Sequence, residues 1–182
     1  MTSKENSASA LRRMTAAGIF AAFMCIISPF AIPVGPISIT LATFAVYLSG
    51  AVLGRKLGGI AVAIYLLLGF AGLPVFSGFT GGIQRLFGAT GGYMVGYIFC
   101  TYITGLFADK FKKIWAYPAG MVLGTALLYA FGTAWFCLLT GSEIIPALAA
   151  CVFPFLIGDA IKIAAASALA VKLRQAADRM MK

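Results

Sequence analysis

Gly69-Phe-Ala-Gly-Leu-Pro-Val-Phe-Ser-Gly-Phe-Thr-Gly-Gly-Ile-Gln-Arg-Leu-Phe-Gly-Ala-Thr-Gly-Gly-Tyr-Met-Val-Gly96 is the stretch around which the chain is organised. Its glycine density exceeds what a membrane-spanning helix needs. Glycine allows close backbone approach and positive φ angles. Irregular backbone at membrane depth is tolerated only where protein covers it or where it lines a cavity. The stretch therefore reads as a ligand-contacting loop between two spans, with Arg85 as its one basic residue.

The surrounding composition belongs to a membrane protein. The 182 residues are 62% hydrophobic and 10% charged, against roughly 25% charged residues in soluble domains. Spans of ~20 residues with short loops allow about six helices in this length. The apolar runs fall at about 13–31, 39–53, 58–72, 91–108, 116–139 and 147–171, which gives a single all-α membrane domain over 1–182. The run that begins at Arg13 has no small-residue cleavage site and reads as a retained first span.

The net charge of +9 records topology rather than nucleic-acid binding. Lys4, Arg12, Arg13, Arg55, Lys56, Lys110, Lys112, Lys113, Lys172, Arg174, Arg179 and Lys182 all flank the same side of the six runs. The loops on the other side, 32–38, 73–90 and 140–146, carry only Arg85. The positive-inside rule then puts six transmembrane helices in the bilayer with both termini in the cytoplasm.

The second exceptional cation is Lys162, three residues after Asp159 inside the last apolar run. Residues three apart share a helix face, and charge at that depth marks a cavity, a partner or a pathway. The bland alternative is a buried ion pair held by packing alone. Thr80-Gly-Gly82 and Thr90-Gly-Gly-Tyr93 flank Arg85 and lack the Walker pattern, so the chain is not expected to bind nucleotide itself. Close helix packing could account for Gly92 and Gly96. With four scattered cysteines and no histidine, neither a metal site nor a His-dependent catalytic triad is expected. The first span offers two small-xxx-small pairs, Ala17/Ala21 and Gly18/Ala22, suited to helix packing or to docking another membrane subunit.

The segments Gly72-Leu-Pro-Val-Phe-Ser-Gly-Phe-Thr-Gly-Gly82, Leu86-Phe-Gly-Ala-Thr-Gly-Gly-Tyr93 and Gly158-Asp-Ala-Ile-Lys162 resemble the signature segments of the BioY family. Its members are biotin-specific S-components of energy-coupling factor (ECF) vitamin transporters. Ala89 departs from the pattern, where proline is expected. The resemblance covers nearly the whole chain. It implies an S-component-like bundle in the cell membrane that captures biotin from outside. It also implies a transmembrane coupling subunit and two cytoplasmic ATPases as partners, with ATP used only by them. No enzymatic activity and no cofactor is implied, and Ala17 and Ala21 match the family's docking motif.

Biotin carries a carboxylate, an apolar chain and ring, and a ureido group with two N–H donors and one carbonyl. Asp159, Lys162, Arg85, Tyr93, Thr80, Thr90, Gly82 and Gly92 are the candidate binding residues, with Phe76 as a further pocket wall. Asp159 suits the ureido group, and either Arg85 or Lys162 suits the carboxylate. The alternatives are an S-component for thiamin or riboflavin, or a structural membrane subunit without transport.

Overall fold

The structure is a computed structural model that describes residues 2–34, 37–111 and 113–181. In chain order it contains α1 (Thr2–Ile27), β1 (Ala31–Val34), β2 (Ile37–Thr40), α2 (Ala42–Phe70), a single 3₁₀ turn (Ile83–Arg85), α3 (Gly91–Phe111), α4 (Ala116–Thr140), α5 (Ile144–Cys151) and α6 (Phe153–Met181). Among the described residues, five helices are long and apolar enough to cross a membrane: α1 from Ser9, α2, α3, α4 and α6 to Met180. One buried apolar cluster draws residues from all five.

The bundle is not purely helical. The uncharged breaker after α1 forms an antiparallel ribbon in which Ala31 faces Thr40 and Val34 faces Ile37. Isoleucine, valine and threonine favour the pleated surface, and Pro33 is tolerated because a two-stranded ribbon leaves an edge on each side. The first expected run therefore ends early, at Ile27. The last expected run is divided into α5 and α6 at Val152, whose backbone leaves helical geometry. Pro154 then occupies the first turn of α6, where its missing N–H costs nothing.

The expected runs 39–53 and 58–72 are the two arms of α2, which meet at Gly54 with φ 78° and ψ 178°. The Ser49 hydroxyl donates to the Gly58 carbonyl at 3.2 Å. On a straight helix, residues nine apart would be separated by ~13.5 Å, so the arms fold back on each other. One ion pair caps both arms at this turn. Asp109, near the end of α3, accepts from the Arg55 backbone N–H at 3.2 Å, the first donor of the second arm. Arg174 of α6 bonds the other Asp109 oxygen at 2.7 Å and the Ala51 carbonyl of the first arm at 2.9 Å. Orphan groups that helix ends otherwise leave unpaired are thus satisfied.

A side chain at Gly54 would be doubly strained, by the left-handed backbone and by a Cβ 2.7 Å from the Asp109 carboxylate. Gly54→Val is expected to destabilise the bundle by about 2 kcal/mol or more. Gly59→Ala, where a Cβ meets nothing within 4 Å, is expected to be neutral or stabilising. Thermal unfolding of the two variants in detergent checks the contrast.

Candidate functional site

A cavity of about 130 Å³ lies beneath the ribbon and the 71–90 segment and is walled by α2, α3, α4, α5 and α6. Its inner end is built on the helical spacing of α6. Asp159, only 4% exposed, and Lys162 share one face and pair at 2.9 Å. Thr43, in the first turn of α2, donates its hydroxyl to Asp159 Oδ1 at 3.2 Å and accepts from Lys162 Nζ at 3.0 Å. Tyr129 of α4 donates to Asp159 Oδ2 in a short hydrogen bond. The carboxylate therefore holds three donors from three helices, and Lys162 is committed to this network. The pair lines the cavity as well as neutralising itself.

The outer end is the glycine-rich segment, and it is anchored rather than loose. Phe76 is 1% exposed and stands edge-on to Tyr65 at 5.7 Å, with Phe70 at 5.4 Å. Its ring occupies the space where a Cβ on Gly69 would lie. Phe76 and Thr80 exchange backbone hydrogen bonds of 2.8 and 3.3 Å around a tight turn. Gly82 N–H donates to the Gly69 carbonyl at 2.7 Å, and Gly78 N–H donates to Pro29 at the end of α1 at 2.9 Å. At the far end, the Trp135 indole of α4 donates to the Gly88 carbonyl at 3.1 Å. Arg85 sits in the 3₁₀ turn, half-buried, and lines the cavity. Among the described residues no hydrogen bond or ion pair engages its guanidinium.

Asp159, Lys162, Arg85, Tyr93, Thr80 and Thr90 converge on this one space, together with Phe76. Tyr93 presents its ring, because its hydroxyl is used on Thr133 at 3.3 Å and on the Cys151 carbonyl at 3.5 Å. The Thr80 hydroxyl is likewise turned to the Ser77 carbonyl at 2.9 Å. Gly82 and Gly92 do not line the cavity. Gly82 shapes the loop with a φ of 99°, and Gly92 lets α3 approach the Trp135 side chain of α4.

Sequence reasoning missed Thr43, Tyr97 and Tyr129, and also Ile37, Ser38 and Thr40 of the ribbon. Tyr129 had a usable signal, since a tyrosine hydroxyl in the middle of an apolar span must find a partner.

Ala17 and Ala21 are each 1% exposed, on the face of α1 that packs into the bundle. Gly18 and Ala22, the other small pair, are exposed. The pairs lie one residue apart, and only the rotational phase of the packed helix tells them apart.

Apolar spans around a partly enclosed cavity, with placed polar groups at each end, define a multi-pass membrane protein that binds a small solute. The sequence profile of the BioY family matches residues 1–179. The chain belongs to the BioY family. It is 41% identical over 166 residues to the biotin transporter BioY of Thermotoga maritima, covering 91% of this chain and 97% of that one. It is 32% identical over 170 residues to the biotin transporter BioY of Rhizobium etli, covering 87% and 90%. Its fold matches the crystal structure of the S-component for biotin from an ECF-type ABC transporter. That match has a TM-score of 0.86 at 27% identity and covers 96% of this chain and 95% of the other.

Lys162→Met leaves a buried carboxylate without its cation and is expected to destabilise the bundle by about 3 kcal/mol. Adding Asp159→Asn removes the stranded charge and is expected to restore most of that loss. Unfolding midpoints that simply add in the double variant would contradict the pairing.

Proposed function

We propose that the chain takes up biotin, as the substrate-binding S-component of an ECF-type transporter, and acts as a transport protein rather than an enzyme. The observation that carries the reading is membership of a family whose relatives are named biotin transporters, joined to a cavity with complementary chemistry. Asp159 has about four acceptor positions, three of them already used, which leaves Oδ2 able to take a ureido N–H. Aromatic and apolar walls at Phe76, Tyr93, Met94, Leu128 and Phe155 suit the ring and valeryl chain. Arg85 is the cation assigned to the carboxylate, because Lys162 is held by Asp159 and Thr43. A guanidinium fork also matches a carboxylate bidentately.

The two arms of α2, counted separately, make six crossings with α1, α3, α4 and α6. The described basic residues other than Arg85 and Lys162 then lie at one end of the bundle and the cavity near the other, so both termini face the cytoplasm and biotin enters from outside. The membrane is the cell membrane. The coupling subunit and two cytoplasmic ATPases supply the energy, with ATP hydrolysed on those partners alone. Docking is assigned to the exposed Gly18/Ala22 face of α1.

Purified chain is expected to bind labelled biotin saturably, with thiamin and riboflavin competing poorly. Absence of saturable binding sinks the reading. Arg85→Gln is expected to weaken binding about tenfold or more, equivalent to ~1.4 kcal/mol. Biotin amide, which lacks the negative charge, is expected to bind wild type and Arg85→Gln about equally. An unchanged preference for biotin over its amide in the variant would move the carboxylate to Lys162.

For docking, Gly18→Leu adds a side chain where a Cβ meets nothing within 4 Å. It is expected to leave biotin binding intact while abolishing co-purification with the coupling subunit and biotin uptake. Normal uptake by this variant removes the docking assignment.

A further inference from the structure

A second concavity lies far along α4 and α6 from the solute cavity, at the end where the basic residues gather. The two helices meet where Tyr129 bonds Asp159 and again where the Ser167 hydroxyl donates to Met121 Sδ at 3.4 Å. Beyond Met121 the seam opens into a groove. It is shallow and lined mostly by apolar side chains, Ile114, Trp115, Pro118, Ala168 and Val171, with Lys113 and Ser167 beside them.

Three features say what fits there. The groove faces outward from the bundle along spans whose outer surface is lipid, and its lining is hydrocarbon apart from Ser167 and Lys113. Trp115 is 51% exposed and its ring packs on Phe111 at 5.1 Å, an interfacial placement for an indole. Lys113 is exposed and its ammonium has no hydrogen-bond or ion-pair partner among the described residues, with exposed Lys172 next to Val171 on the facing helix. Asp109, the acidic side chain near the end of α3, is committed to Arg55 and Arg174. An apolar slot with an unneutralised cation at its mouth complements a hydrocarbon chain that ends in an anionic phosphate.

We infer that this groove between α4 and α6 binds one anionic phospholipid, its acyl chain along Pro118, Ala168 and Val171 and its phosphate on Lys113. The site differs from the general lipid contact of a span because it joins a recess between helices to a specific charge. It is independent of the biotin cavity.

The test is native mass spectrometry of the purified full chain with equal amounts of phosphatidylglycerol and phosphatidylcholine. Wild type is expected to retain one phosphatidylglycerol in clear preference. Lys113→Gln is expected to reduce that preference at least threefold, and Ala168→Trp, which fills the groove, to abolish retention. Biotin binding is expected to be unchanged in both variants. Equal retention of the two lipids by wild type overturns the inference, as does phosphatidylglycerol retention unaffected by either variant. If Ala168→Trp keeps the lipid but loses the coupling subunit, the groove is a protein interface and the inference falls. Should Ala168→Trp fail to fold, Lys113→Gln alone decides.

Discussion

A carboxylate inside a bilayer-spanning bundle cannot stand alone, because an unpaired buried charge costs several kcal/mol. Asp159 imposes that condition on its neighbours. Lys162 must lie on the same face of α6, Thr43 must open α2 beside it, and Tyr129 must reach across from α4. Three helices are therefore fixed in rotation about one side chain. The cavity is the space left between them, the ribbon and the anchored 71–90 segment. The network is costly as a source of stability alone and makes sense where a ligand shares it.

Two of these helices, α2 and α6, are pinned a second time. The first arm of α2 bonds α6 through Thr43 and Lys162 near the cavity, and through the Ala51 carbonyl and Arg174 at the other end. Asp109 ties α3 into this second junction and occupies the space that any residue larger than glycine at position 54 would need. The site thus rests on a helix pair held at both ends. Such preorganisation reduces the ordering that a ligand must otherwise impose.

Membrane class, the irregular backbone of the glycine-rich segment and the face shared by Asp159 and Lys162 were all legible from the sequence. Each follows from a local rule about hydropathy, glycine content or helical period. What escaped depended on tertiary phase. The gap between the runs 39–53 and 58–72 gave no sign of its geometry, and only the contact between Ser49 and Gly58 identifies a tight helical hairpin. The 32–38 breaker gave no sign that it would pair into a ribbon covering the cavity. Ala17/Ala21 and Gly18/Ala22 are indistinguishable in sequence, and packing turned the first pair inward. Gly92 belonged to a motif around the site yet serves the α3–α4 contact with Trp135. Motif membership locates a site, but the direction of each residue is decided by its neighbours.

The charge arithmetic of the cavity bears directly on specificity. Among the described residues its charged lining comprises Asp159, Lys162 and Arg85; the first two cancel through their ion pair, which leaves the Arg85 guanidinium. With that charge balance the favoured occupant is one whose single negative charge lies toward the 71–90 segment and whose polar, uncharged end meets Asp159. On the proposed reading biotin meets both conditions with its carboxylate and its ureido group. A cation of thiamin type would face Arg85 without compensation, and a neutral ligand would leave the guanidinium unpaired. Discrimination of this kind needs no steric exclusion, because the rejected ligands fail on the charge left behind.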